Sequence, residues 1–225
     1  MHALTLRQWL SIAALVIVVP YVLNQVRKPT RWVGPFFLRG MNESHSALTD
    51  WGLEHVRVER AFTILDVGCG GGRTIQKLAV RASDGRVHGV DWSIGSVVLS
   101  REVNARRVES GQVEIQQASV SKLPFGDATF DLVTAVETHY YWPDLAADAR
   151  EILRVLKPGG TFVAIVEAYQ HGVAGFLLTV AMTPMRAKLM TADGHRDWLT
   201  AAGFTDVSVS EERRHGWLRV TGRKA

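Results

Sequence analysis

Hydrophobic positions in this chain fall into two kinds of run that alternate from about residue 62 onward. Short, near-continuous apolar runs of the kind found in strands covered on both faces lie near 62–67, 86–91, 113–117, 130–136, 160–168, 205–210 and 216–222. Between them apolar positions recur at helical spacing near 72–82, 93–110, 143–155 and 191–202, and a further helical pattern at 44–58 precedes the first strand. Ser93 is the expected N-cap of the 93–110 helix and Gly111 its stop. The alternation predicts an α/β fold, a mostly parallel sheet with helices on both faces. Only a short turn around Arg213–His215 joins the last two strands. That is too short for a crossover, so those two are expected to pair antiparallel.

The first forty residues follow a different pattern. Leu10 to Leu23 carries no charge, and the apolar character reaches back to Ala3, interrupted by Arg7 and Gln8. A helix of about 20 residues spans about 30 Å, so Ala3–Leu23 is long enough to cross a bilayer. Trp9 and Tyr21 suit the two interfacial belts, and Arg27, Lys28, Arg31 and Arg39 follow with no acid before Glu43. The expected organisation is an N-terminal hydrophobic helix with a basic flank at 1–40, a membrane anchor, and one folded domain at 41–225. The one-sided positive flank places that domain on the cytosolic side of a membrane; the alternatives are a helix lying in the membrane interface and a cytoplasmic protein whose first helix packs on its own domain or on a partner.

The densest chemistry lies in Ile64-Leu65-Asp66-Val67-Gly68-Cys69-Gly70-Gly71-Gly72-Arg73-Thr74. An apolar strand, an acid and a glycine-rich turn open onto a helix here. Glycines take φ > 0 and let a ligand approach the backbone, and nucleotide-like cofactors sit on such turns at the carboxyl ends of strands. A dinucleotide fingerprint needs G-x-G-x-x-G; Gly68 and Gly70 fit, but Arg73 holds the third position. That counts against an NAD(P)-dependent oxidoreductase. The second strand, Arg86–Asp91, also ends in an acid, placed to accept hydrogen bonds from ribose hydroxyls.

The spacing Asp66, Gly68, Gly70, Gly72 instead resembles the first motif of the class I S-adenosylmethionine (SAM)-dependent methyltransferases, type 11 group, which includes enzymes of ubiquinone and menaquinone biosynthesis. The order of elements across roughly 43–225 resembles that superfamily too, including Leu123-Pro124-Phe125 with Asp127 and the Leu156-Lys157-Pro158-Gly159-Gly160 re-entry. The resemblance implies a Rossmann-like seven-stranded sheet whose last strand is antiparallel, and SAM as cofactor. It implies cofactor contacts from Asp66, Gly68, Cys69, Gly70 and Gly72, from Asp91 and Trp92, from Ser119 near the adenine, and from Glu137. Met41-Asn42-Glu43-Ser44-His45-Ser46 resembles openings in bacterial members of this group, where the segment closes over the cofactor, so His45 joins the list; an N-terminal cap or a core contact is the other reading of that histidine.

Chemistry at the acceptor is expected in Val136-Glu137-Thr138-His139-Tyr140-Tyr141-Trp142-Pro143-Asp144, after the fourth strand. His139 or Glu137 would accept a proton from a hydroxyl or amine nucleophile. Tyr140, Tyr141 and Trp142 would shield a sulfonium, hold an apolar substrate, or pack in the core. Asp127 and Asp131 read as structural. The apolar, Met-containing stretch Tyr169–Met190 suggests a greasy pocket wall or a second membrane contact. With the N-terminal segment it points to a small lipophilic acceptor. A module that binds SAM without turnover is the third reading.

Composition narrows the classes further. A chain of 225 residues, 47% of them hydrophobic, suffices for one large domain with a full core. The single Cys69 excludes a disulfide framework and a thiolate zinc site, and the eight histidines lack ligand spacing, so no metal is expected. The net charge of +4 gathers in the N-terminal flank and around Arg213, Arg214, Arg219, Arg223 and Lys224. Anionic lipid headgroups account for such a juxtamembrane flank. The N/D-P-P-Y-like motif of base-methylating enzymes is missing after the fourth strand, so no nucleic-acid partner is expected.

Overall fold

Alternate residues of the central strand are buried on opposite faces: Ile64 packs into one apolar cluster and Leu65 into another, both 0% exposed. Burial of both faces explains the unbroken hydrophobic run in the sequence. The computed structural model describes residues 45–172 and 186–225 together with Gly40, Gly175, Thr179, Met182 and Thr183. Its strands are β1 (Thr63–Val67), β2 (Arg86–Asp91), β3 (Val113–Gln117), β4 (Phe130–Val136), β5 (Leu156–Val166), β6 (Thr205–Glu212) and β7 (Trp217–Arg223). Numbered along the described residues, the helices are α1 (Ser46–Glu54), α2 (Arg73–Arg81), α3 (Ile94–Val103), α4 (Ala105–Glu109), α5 (Leu145–Val155) and α6 (Ala192–Ala202).

The seven strands form one sheet in the order β3-β2-β1-β4-β5-β7-β6. β1 pairs parallel with β2 and with β4, and β7 inserts antiparallel between β5 and β6. The expected antiparallel hairpin is therefore present, and the sheet is otherwise parallel. Leu48, Leu53, Ile75, Leu78 and Val97 from α1, α2 and α3 cover one face; Ala149, Ile152, Val155, Trp198 and Leu199 from α5 and α6 cover the other. Chain order reverses between β1 and β4, which makes their carboxyl ends the switch point where open α/β sheets bind ligands.

The 93–110 pattern is two helices rather than one. Asn104 leaves helical geometry at φ −107°, and its Nδ2 donates to the carbonyls of Gly72 and Ser100, both at 3.0 Å. These two bonds from a buried amide nitrogen fix the start of α2 against the end of α3. β5 begins earlier than expected because Leu156 pairs with Phe130 across a register shift.

Helix α1 is fastened at several points. A Cβ on Gly52 would overlap the Ile165 side chain, so glycine permits α1 to lie directly on β5. Lys77 Nζ donates to the Ser46 carbonyl at 2.7 Å and pairs with Asp50 at 2.6 Å; Arg81 Nη1 donates to the Leu53 carbonyl at 2.7 Å. The N-terminal segment Ala3–Leu23 and its basic flank lie outside the described residues. Among the described residues no helix is long and apolar enough to cross a membrane.

Candidate functional site

The turn after β1 carries Gly68, Gly70 and Gly72 at φ +73°, +50° and +82°, backbone that side chains rarely adopt. Gly68 N and Cys69 N both donate to the Val90 carbonyl, at 2.8 and 3.0 Å, which binds the turn to the tip of β2. Gly72 caps α2, and a Cβ there would meet Ser100 Oγ at 2.5 Å and Asn104 Nδ2 at 2.7 Å. Gly70 is the opposite case: nothing lies within 4 Å of a Cβ built on it. The middle of the turn is thus open to a ligand while its two ends are clamped.

Asp91, at the tip of β2, is 7% exposed, its Oδ2 accepting from Gly70 N at 2.9 Å and its Oδ1 from Ser93 N at 2.8 Å. Burial pushes its carboxyl up; these two N–H donors and the Ser96 hydroxyl hold it down, with burial the larger. A carboxylate offers about four acceptor positions, and three donors already reach Asp91, so one position remains for a ribose hydroxyl. The residues present therefore fit a nucleoside-bearing cofactor. Trp92 follows, 44% exposed, a broad apolar ring beside that position.

Asp66 lies beneath the turn, 2% exposed, accepting from Thr134 Oγ1 at 2.7 Å. Burial, with the nearby Asp91 charge, pushes its carboxyl up to about 7 against the Thr134 hydrogen bond. It braces β1 against β4. Cys69 is buried at 6% exposure, and burial drives its thiol upward, so it is no nucleophile. Ser119 is exposed at the end of β3 and its Oγ accepts from Ser121 N at 3.2 Å.

On the other side of the switch point, a Cβ on Gly68 would overlap the Thr138 hydroxyl, so the glycine turn and the segment after β4 touch. Glu137 there holds φ +54°, uncommon for a side-chain-bearing residue. Its Oε1 accepts from Glu167 N at 2.6 Å and its Oε2 from Tyr140 Oη at 2.7 Å. Burial raises its carboxyl and the His45 charge opposes the shift. Glu137 thereby ties the end of β4 to the end of β5.

His139, expected to take a proton at the site, lies in the core at 1% exposure, inside the 3-10 turn His139–Tyr141. Its ring stacks on Trp198 at 5.1 Å, and its Nε2 is 2.9 Å from His195 Nε2. The geometry does not bring it to the switch point. Tyr140 and Trp142 are each 4% exposed and pack in the same core; of the aromatic trio only Tyr141 stays partly open. Asp127 pairs with Arg154 at 2.7 Å, and Asp131 pairs with Lys157 at 2.8 Å and accepts from Thr63 N. Both hold loops at the opposite, amino end of the sheet.

His45, just ahead of α1, reaches the carboxyl edge, its Nε2 3.3 Å from Glu167 Oε1. The ligand atoms of His45, Glu137 and Glu167 all lie within 4.8 Å of one another, a grouping that sequence spacing did not foretell. Burial lowers the imidazole, but the Glu167 hydrogen bond and the charges of Glu137 and Glu167 outweigh it, leaving His45 raised. No motif singles out Glu167, although it is an acid directly following a buried strand, the same signal that marks Asp91 and Glu137.

Residues 65–164 match the family described as methyltransferase domain, of the type 11 kind. The 27-O-demethylrifamycin SV methyltransferase of Amycolatopsis mediterranei is 31% identical over 199 residues, covering 81% of this chain and 70% of its own. The uncharacterized methyltransferase YdaC of Bacillus subtilis is 28% identical, with 75% and 86% covered. The O-methyltransferase cnsE of Penicillium expansum is 32% identical over 68% of this chain, which spans only 55% of that relative's length. Among solved structures, the putative methyltransferase complexed with the Trm112 activator in Haloferax volcanii shares the fold, with TM-score 0.75 at 23% identity over 85% of this chain and 95% of that one. Human N-acetylserotonin methyltransferase, solved with SAM, shares it with TM-score 0.67 at 18% identity over 84% of this chain and 55% of that one. The chain belongs to the class I SAM-dependent methyltransferases, as a type 11 methyltransferase domain.

Proposed function

We propose that this chain transfers a methyl group from SAM to a small, lipophilic acceptor held beside the ends of β4 and β5. The observation that carries the reading is the turn clamped at Gly68 and Gly72 and open at Gly70, with a carboxylate, Asp91, that keeps an accepting position beside it. Gly68–Gly72 would receive the cofactor along their backbone, Asp91 would accept from its ribose, and Trp92 and Ser119 would flank its adenine. When bound, SAM supplies a methyl group activated on a sulfonium. The chain's part is to orient the acceptor in line with that carbon, and positioning alone supplies much of the rate in such displacements. Two relatives carry oxygen methylation in their names, which favours an oxygen acceptor.

Calorimetric titration of the whole chain with SAM, S-adenosylhomocysteine and NAD tests this. Micromolar binding of both sulfur compounds and none of NAD is expected. A folded chain that binds neither sulfur compound sinks the proposal.

The lipophilic character of the acceptor is supported by the apolar, Met-containing composition of Tyr169–Met190 and by the uncharged run Leu10–Leu23. That second run would bring the domain to a bilayer surface. Flotation with vesicles containing anionic lipid is expected to carry the whole chain upward, and the double substitution Val16→Asp and Val19→Asp to leave it at the bottom. Equal flotation of the two removes the bilayer contact from the proposal.

A further inference from the structure

The methyl acceptor's proton needs a destination, and neither residue picked from the sequence supplies one. His139 is enclosed in the core, and the Glu137 carboxylate holds Tyr140 Oη and Glu167 N, tying the end of β4 to the end of β5. We infer that His45 is the proton acceptor for a hydroxyl nucleophile, oriented by Glu167, with Glu137 as the positioning residue that holds Glu167 in place. The inference rests on the methyltransferase reading above and deepens it to the acceptor's chemistry.

Three features of the structure converge on this pair. First, its position: Glu137 and Glu167 follow the adjacent strands β4 and β5, and Thr138 touches Gly68 of the glycine turn. The pair therefore stands next to the cofactor turn across the switch point. Second, its geometry: His45 Nε2 faces Glu167 Oε1 at 3.3 Å, the imidazole 21% exposed and the carboxylate 46%. An imidazole whose one nitrogen donates to a carboxylate has its tautomer fixed, and Nδ1 is the nitrogen left to take a proton. Third, its anchoring: Gly52 seats α1 on β5, and Lys77 and Arg81 hold α1 from α2. A covering helix fastened that firmly supplies a histidine in a set place, which is what a general base requires.

The same three side chains could instead be read as ligands for a cation. The hydrogen bonds argue otherwise. Glu137 receives Tyr140 Oη and Glu167 N, and His45 closes directly on Glu167, so the group satisfies itself without an ion.

The step balances simply. The acceptor's O–H bond breaks and its proton passes to His45 Nδ1. The oxygen's electron pair forms the new O–C bond while the C–S bond to the donor breaks, its electron pair remaining on sulfur. The imidazolium then returns its proton to solvent. His45 must be neutral to act, and Glu167 and Glu137 hold its proton on. Transfer should therefore rise with pH through a midpoint above the ordinary histidine value of about 6.5.

The test follows the His45 ring resonances by NMR against pH in the whole chain, assigned among the eight histidines with His45→Gln. SAM and S-adenosylhomocysteine share a shape but differ by the charge on sulfur. A His45 midpoint lower in the SAM complex than in the other, and lowered in free Glu167→Gln relative to wild type, is the expected result. Equal midpoints in the two complexes would put His45 away from the reacting atoms and overturn the inference, while leaving the methyltransferase reading intact. Failure to bind either compound overturns both.

A second readout uses 1-naphthol and 2-naphthol with methyl-labelled SAM. Labelled ether should form in wild type, with a pH midpoint matching the resonance. His45→Gln should lose about 10²-fold in rate at unchanged SAM affinity. A wild type that loads SAM and labels neither naphthol, or a His45→Gln chain as fast as wild type, overturns the assignment.

Discussion

Asp91→Ala is expected to weaken SAM binding by about 100-fold or more while the chain stays folded. Hydrogen bonds to a charged acceptor contribute about 1.5–3 kcal/mol each, and a ribose hydroxyl and Gly70 N would lose their acceptor together. At about 1.4 kcal/mol per tenfold, the smaller figure already gives about two orders of magnitude. Gly70 N sits at the open middle of the turn. The turn would then lose one of the bonds that hold its backbone in place. Asp91→Asn separates these contributions, because the amide oxygen keeps one accepting position while the charge is gone; an intermediate loss is expected. Calorimetry measures both, with near-ultraviolet circular dichroism as the folding control. Wild-type affinity in Asp91→Ala would remove the tip of β2 from the cofactor site.

Most of the frame was legible because it is written locally. β2, β3 and β4 are apolar runs whose bounds follow from their own composition, and α2, α5 and α6 begin and end within two residues of the expected places, whereas α1 stops at Glu54, four residues short. The glycine turn was equally legible, since left-handed backbone at Gly68, Gly70 and Gly72 demands that residue type. What escaped the sequence depends on partners far away in the chain. The break at Asn104 exists because its side chain reaches Gly72, and nothing in residues 93–110 records that.

His139 is the sharpest instance. It follows β4, where a base was expected, yet the 3-10 turn rotates it inward onto Trp198 and His195, which arrive from α6. Glu167 and His45 carry the opposite lesson. His45 was expected at the cofactor and Glu167 not at all, and only the adjacency of β4, β5 and α1 brings them within reach of each other.

The buried histidine pair sets a second large expectation, an acid limb in the folding stability. His195 Nδ1 lies 2.8 Å from the Thr191 carbonyl, so that nitrogen carries a proton and its Nε2 must accept. His139 Nε2 then donates, which leaves His139 Nδ1 as a bare lone pair with no partner in the core. Protonating either ring would put a charge among aromatic side chains, and burial holds both imidazoles below the ordinary value, His139 well below it with His195 adding. Folded pKa values beneath the unfolded one mean that the unfolded chain binds more protons as pH drops below about 6.5. Stability therefore falls with acid in that window, by about 1.4 kcal/mol per pH unit for each histidine that stays neutral. Asp66 works in the other direction: its carboxyl, raised to about 7, stabilises the fold at low pH and loses that contribution as pH rises toward neutrality. Wild type alone would show only the sum, so the comparison is with His139→Leu/His195→Leu. Removing both partners of a buried pair can be nearly neutral at pH 8, where the histidines are uncharged in either state. At pH 5 the double variant should be the more stable chain by a few kcal/mol, read from urea unfolding at each pH. Parallel stability curves for the two chains between pH 8 and 5 would mean that these rings do not stay neutral inside the fold.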